Sequence, residues 1–225
     1  MKLSVVMATM NEAKSIERMI EEIRRYSPEE TEILIVDSSK DETREIAQRL
    51  GAKVIFQEPQ GHGLALKTAL HAASGDVIIS ADCDMTYPMD RLPDFLRLIS
   101  EEGYDLVSGC RMTKELKKEM PLSNRLANFF FAAIVRFLYG IDTHDVSTGM
   151  FAMIREYAQI DWKGNFSLPA EIIVRSKLLN KRYLEVPIKY DLRIGETTLN
   201  KWRSGKAYLK SFFYWKYGWF AGAEL

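Results

Sequence analysis

Cysteine is scarce: the 225 residues contain two, Cys83 and Cys110. Their spacing is not that of a metal-binding pair, and two are too few for a disulfide framework, so the chain must be held by burial and suits a reducing compartment. No window approaches 18 consecutive apolar residues, which argues against a bilayer-spanning helix. The opening MKLSVVMATMNE meets Asn11 and Glu12 before its apolar run is long enough for a signal peptide. Repeats and low-complexity segments are missing. So are Cys-x-x-Cys or Cys-x-x-His pairs, leucine heptads and the glycine-aromatic ribonucleoprotein signature, which leaves nucleic acid as a poor partner.

Apolar residues make up 47% of the chain and charged residues 28%, ordinary values for one globular domain with a full core. A formal net charge of zero hides an asymmetry. Residues 1–110 carry 12 basic and 20 acidic side chains, whereas residues 111–225 carry 19 and 11. The two halves therefore face different partners, or one partner with two ends.

The acidic half alternates short β-branched runs with helical patterns. LSVVMA (3–8), EILIVD (32–37), AKVIF (52–56), DVIIS (76–80) and YDLVSG (104–109) read as strands. Between them, residues 14–25, 41–50, 63–73 and 91–99 read as helices, with Ile16, Met19, Ile20 and Ile23 marking one face of the first. Nearly continuous apolar strands separated by helices predict an α/β fold, a mostly parallel sheet covered on both faces. In the basic half, FFFAAIV (129–135) reads either as a buried core helix or as apolar side chains for an interface, and SLPAEIIVRSKLL (167–179) as a helix. KRYLEVPIKYDLR (181–193) reads as a strand whose Pro187 suits an edge. The aromatic cluster at 212–220 suits contact with a membrane or a partner, with ordinary packing as the alternative.

Parallel sheets bind ligands beyond the carboxyl ends of their strands. Five such exits follow here: ATMNE, DSSKD, QGHG, ADCD and SGCR. Asp82 and Asp84 leave the fourth strand together, close enough to repel unless a hard divalent cation sits between them. The same triplet also suits two solvated loop aspartates. Glu12 and Asp37 share the rim, though each alone also suits a turn or a helix cap. Gly61 and Gly63 permit close backbone approach before a helix, with His62 between them.

The ordered set VVMATMNEAKSI, IVDSSKDET, GHGLALKTAL, SADCDMTYP, DLVSGCRM, DVSTGMFAM and VPIKYDLRIGETTLNKW resembles the dolichol-phosphate-mannose-synthase-like branch of the family 2 inverting glycosyltransferases. That resemblance implies a Rossmann-like GT-A fold over residues 1–217, with a nucleotide-sugar-binding half (1–110), an acceptor-binding half (111–217) and a short tail (218–225). It implies Asn11, Glu12 and Asp37 in the donor pocket, and Asp82 and Asp84 holding Mg²⁺ or Mn²⁺ on the diphosphate. Arg111 is implied as a phosphate contact near donor and acceptor, and Arg193 and Lys201 as cations over the diphosphate. Asp84, Arg193 and Arg111 are thus the expected catalytic residues. Two departures from the family pattern stand out: DSSK replaces DDGS, putting Ser38 where a second acid is usual, and Thr197 and Thr198 replace a serine-lysine pair.

The implied reaction is transfer of one hexose, mannose from GDP-mannose or else glucose from UDP-glucose, to a polyprenyl phosphate such as dolichyl phosphate. The implied location is cytoplasmic, peripherally on the cytosolic face of a membrane or on a membrane-anchored partner. Residues 111–125, with five basic and two acidic side chains, and 193–217, with six and one, suit an anionic acceptor or surface. Two alternatives are a soluble family 2 enzyme acting on a hydroxyl and a non-catalytic interaction subunit of the same fold.

Overall fold

The structure is a computed structural model that describes residues 1–112, 120–194 and 201–218, with backbone alone at 201–203. The β-branched runs form the strands β1 (Leu3–Thr9), β2 (Glu32–Asp37), β3 (Lys53–Phe56), β4 (Val77–Ser80) and β5 (Leu106–Cys110), followed by β6 (Phe151–Ile154) and β7 (Tyr183–Pro187). The helices are α1 (Ile16–Tyr26), α2 (Thr43–Arg49), α3 (His62–Ala72), α4 (Leu92–Ser100), α5 (Leu122–Tyr139), α6 (Arg155–Ala158), α7 (Leu168–Leu178) and α8 (Lys201–Tyr217). The seven strands form one sheet in the order β3-β2-β1-β4-β6-β5-β7.

Strand periodicity divides the core. Leu3, Val5 and Met7 of β1 pack with Ile16, Met19, Ile20 and Ile23 of α1 and Phe95 of α4, while the intervening Val6 packs on the opposite face with Leu66 and Leu70 of α3. Both faces are covered, so β4 reads VIIS with every residue buried.

Only β6 runs against the rest: it pairs antiparallel with β4 and with β5, while β5 pairs parallel with β7. The carboxyl ends of the other six strands therefore share a rim. Because β6 starts at that rim, the segment feeding it, DVSTGM (145–150), lies there too. At four residues β6 carried too little alternation to stand out in the sequence. β7 is an edge strand ending at Pro187, as its proline required.

Each of the two aromatic segments divides between core and surface. In FFFAAIV, Ala132 and Val135 are buried but Phe129 and Phe130 are exposed, and Phe137 farther along α5 is 89% exposed. In the C-terminal cluster, Phe212 is fully buried with Tyr208, and the Tyr139 hydroxyl donates to the Phe212 carbonyl. Phe131 stacks on Tyr208 at 5.2 Å between ring centroids. α5 thus packs Ala132, Val135, Phe131 and Tyr139 inward and leaves Phe129, Phe130 and Phe137 exposed, while α8 packs beside α5 and α7. Residues 219–220 of that cluster lie outside the described residues.

Candidate active site

The exits of β1 and β2 are fastened to each other. Thr9 Oγ1 donates to Asp37 Oδ1 at 2.8 Å and Ser39 Oγ to the same oxygen at 2.5 Å. Arg44 Nε reaches Asp37 Oδ2 at 3.3 Å, its guanidinium lying over Phe56 at 4.2 Å. Asn11 adopts φ +59°, a conformation asparagine tolerates better than most residues. Its N–H donates to Ser39 Oγ and its Oδ1 accepts from Lys40 N. Ser38, standing where the resemblance expects an acid, donates its hydroxyl to the Gln57 carbonyl at 2.7 Å. Asp37 is fully buried and engages both oxygens within the protein, so it shapes the pocket from beneath.

β4 delivers the acidic pair. Alternation continues past the strand, so Cys83 turns into the core with its thiol pushed up by burial, while Asp82 and Asp84 face the rim. This accounts for a small apolar residue between two carboxylates. Met85, at φ +65°, turns the chain so that Thr86 N and Oγ1 both donate to Asp84 Oδ1, at 3.1 and 2.5 Å. The chain after β7 then runs back along this turn, with Asp191 N donating to Thr86 O and Ile194 N to Asp84 O, each at 3.0 Å.

That strap carries Arg193 onto the acids. Its Nη1 lies 3.1 Å from Asp84 Oδ2 and its Nη2 donates to Glu12 Oε1 at 3.1 Å. Glu12 is thereby brought to the same cluster, and its carboxyl is raised by burial and by Asp84, against the pull of Ser15 and Arg193. Asp82 approaches His62 Nε2 at 3.5 Å. Burial and the Asp84 charge raise the Asp82 carboxyl, opposed by His62, Arg111 and Arg193.

The glycines of QGHG serve packing. Gly61 takes φ +110°, and a Cβ on Gly63 would come within 1.8 Å of the Asn165 carbonyl. Asn165 also accepts from Leu64 N, so this helix start is already engaged by the protein. Gly149 has the clearest role at the site: a Cβ there would sit 2.9 Å from Asp82 Oδ2.

Asp82 and Asp84 supply hard oxygen donors, which fit Mg²⁺ or Mn²⁺. Among the described residues no cluster of three or more His, Cys, Asp or Glu stands ready to enclose an ion. One or two protein carboxylates, with the shell completed by water and phosphate, is the arrangement Mg²⁺ favours.

Arg111, at the exit of β5, is built differently. It is 8% exposed, with Nε donating to Asp145 Oδ2 at 2.7 Å, Nη2 to Asp145 Oδ1 at 2.8 Å, and Nη2 to Ser147 Oγ at 2.9 Å. The rings of Tyr87 and Tyr190, packed edge to face at 5.8 Å, lie beside the guanidinium with their centroids 5.9 and 5.2 Å away. Burial alone would raise the Asp145 carboxyl, but Arg111 and the N–H groups of Arg111 and Ser147 outweigh it and hold it low. Tyr87 also accepts the Gly149 N–H at 2.6 Å, linking this pair to the wall beside Asp82. Asp145, Ser147, Gly149, Tyr87 and Tyr190 escaped the reading of single residues, although all lie within the motifs SADCDMTYP, DVSTGMFAM and VPIKYDLR. The Lys201 side chain, and Thr197 and Thr198, lie outside the described residues.

The family model for glycosyl transferase family 2 matches residues 4–160. A dolichyl-phosphate hexose transferase of Haloferax volcanii is 45% identical over 210 residues, 93% of this chain and 91% of that one. The low-salt glycan biosynthesis hexosyltransferase Agl6 of the same organism is 30% identical over 90% of this chain, which spans 51% of that longer protein. Among solved structures, glucosyl-3-phosphoglycerate synthase from Mycobacterium tuberculosis, in complex with Mn²⁺, UDP and phosphoglyceric acid, superposes with a TM-score of 0.73 over 94% of this chain and 77% of that one at 19% identity. The likeness of fold, a GT-A α/β sheet, extends to that enzyme's complex with Mg²⁺ and UDP, at a TM-score of 0.69. With paired aspartates at the exit of β4 and a family match spanning the sheet from β1 through β6, the chain belongs to glycosyl transferase family 2.

Proposed function

We propose that this protein transfers one hexose, with inversion, from a nucleoside-diphosphate sugar to a polyprenyl phosphate of the dolichyl type. The carrying observation is the 45% identity with the Haloferax dolichyl-phosphate hexose transferase over nearly the full length of both chains. GDP-mannose is the first donor to test and UDP-glucose the second.

In this reading residues 1–110 bind the donor and 111–217 the acceptor, with 218–225 a tail. Asp82 and Asp84 would hold Mg²⁺ or Mn²⁺. When bound, the ion offsets the charge that gathers on the departing diphosphate. Arg193 leaves its ligand-free partners Glu12 and Asp84 to meet the same diphosphate, and Lys201 adds a second cation. Asn11, Glu12 and Asp37 form the floor and edge under the base and ribose. Arg111 presents the edge of its guanidinium that Asp145 does not occupy to the acceptor phosphate. A phosphate oxygen is already ionised near neutral pH, so attack on the sugar requires no strong general base.

The acceptor's apolar tail finds support on α5. Leu122, Leu126, Phe129, Phe130 and Phe137 are all exposed on it, and a groove of about 340 Å³ runs beside it, lined by Met112, Leu126, Phe129, Arg136 and His144 among others. Exposed rings beside cations suit a peripheral position on an anionic membrane surface. No helix among the described residues is long and apolar enough to cross a membrane.

The test is a matrix of radiolabelled nucleotide sugars against short polyprenyl phosphates and water-soluble hydroxyl acceptors, scored by label entering the organic phase. Label on a polyprenyl phosphate with one donor is expected. Label only on a water-soluble acceptor would overturn the lipid reading, and no transfer with undetectable nucleotide binding would favour a non-catalytic role.

A further inference from the structure

Arg111 is one of the most tightly held side chains in the protein, and the residue that holds it stands on a different element. Asp145 is fully buried and lies in the segment that enters β6, whereas Arg111 leaves β5. Its two oxygens accept Nε and Nη2 of Arg111, and Oδ2 also accepts the Arg111 backbone N–H at 2.9 Å. Asn128 Nδ2, from α5, donates to Oδ1 at 3.1 Å, and the same side chain accepts the Val146 N–H through its own Oδ1. Ser147 takes a further bond from Nη2. Glu185 secures the approach to Asp145: its Oε1 accepts from Thr143 Oγ1, His144 N and Asp145 N at 2.8, 2.9 and 3.0 Å.

A guanidinium has five N–H donors in a rigid fork. Here Nε and Nη2 are directed inward, and the mutually packed rings of Tyr87 and Tyr190 lie alongside. Nη1 makes no hydrogen bond among the described residues. The pair is also formally neutral, so what it offers a ligand is an aimed pair of N–H donors more than net charge.

We propose that Asp145 is the positioning residue of the acceptor site. By gripping the inner edge of Arg111, with Ser147 as second holder, it aims the Nη1 edge at the acceptor's phosphate. The inference rests on the reading of Arg111 as an acceptor contact. Asp145 itself touches no substrate.

A double-mutant cycle tests it in the full chain, using initial rates against a short polyprenyl phosphate at saturating donor, donor KM and thermal midpoints. Asp145→Asn should raise acceptor KM about tenfold, the size of one or two hydrogen bonds to a charged group, and leave donor KM unchanged. In an Arg111→Ala background the same change should add nothing, because the side chain it aims is gone. Ser147→Ala removes one bond without stranding a buried charge. It should raise acceptor KM by a smaller factor that likewise vanishes in Arg111→Ala, and this cycle decides the matter if Asp145→Asn does not fold. Effects that multiply across the cycle, or that fall equally on donor KM, would overturn the positioning role while leaving Arg111 as an acceptor contact. Unchanged acceptor kinetics in Arg111→Ala itself would instead remove the reading beneath it.

Discussion

Arg193 and Arg111 stand on the same rim and are held in opposite ways. Arg193 is 34% exposed in its side chain, rides on an irregular strap after β7, and makes single contacts to two carboxylates on other segments. Arg111 is nearly enclosed, meets one carboxylate through two parallel bonds, and lies beside a pair of packed rings. Single, partly solvated contacts are weak and exchangeable, whereas a buried bidentate pair cannot lose one partner without stranding the other. On the proposed reading, Arg193 is poised to rearrange when metal and diphosphate arrive, while Arg111 is set in advance for the acceptor.

The largest expected break of this comparison comes at Asp84. Replacing it with alanine removes one of the two partners of Arg193 and, on the proposed reading, a metal ligand, and should lower turnover by about 10²-fold or more. It should also abolish the Mn²⁺ dependence of nucleotide-diphosphate binding in a titration. Equal metal-dependent affinity in wild type and variant would take Asp84 out of the metal site.

The two arginines should then separate in stability. Arg193→Ala is expected to keep its thermal midpoint within a few degrees yet lose turnover by about 10²-fold, as a diphosphate contact should. Arg111→Ala leaves Asp145 buried and unpaired, a cost of about 3–5 kcal/mol that lowers the midpoint by on the order of 10 °C. Calorimetry on both variants checks this, and similar midpoints would erase the contrast between a movable and a fixed arginine.

Smaller effects sharpen the surface and the pair. Changing Phe130 and Phe137 together to serine should weaken binding to anionic vesicles by about tenfold, on the scale of apolar area withdrawn from water, with little change in folding. Vesicle co-sedimentation measures it, and unchanged binding would move the membrane contact away from α5. The weakest expected signal is in acid. The Asp145 carboxyl is held below its ordinary value, so its stabilising contribution is present above about pH 4 and is lost as pH falls through its lowered folded value. Thermal midpoints measured from pH 5 downward should therefore fall less steeply for Asp145→Asn than for wild type.

The sheet and rim of the first half were legible in the sequence because they are built from local grammar. Continuous apolar strands, helical stripes such as Ile16–Ile23 and polar exits each announce themselves within a dozen residues, and Asp82, Asp84 and Glu12 fall where the exits converge. The surroundings of Arg111 depend on contacts between distant segments, Arg111 with Asp145 and Tyr87 with Gly149, and so does the strap of 191–194 that brings Arg193 against 84–86. No local pattern marks a buried aspartate as the partner of an arginine 34 residues earlier. The aromatic segments stayed open for the same reason. Hydrophobicity alone does not say which of two neighbouring helices, α5 or α8, reaches the core first.

In the proposed mechanism a preset Arg111 receives an acceptor already ionised, with no dedicated base. Initial rates with a short polyprenyl phosphate and with the polyprenol of the same length, under one donor and one metal concentration, test it most directly. The account predicts transfer to the phosphate and none above background to the alcohol, which must lose a proton that no side chain is assigned to take. Comparable transfer to the polyprenol would contradict it.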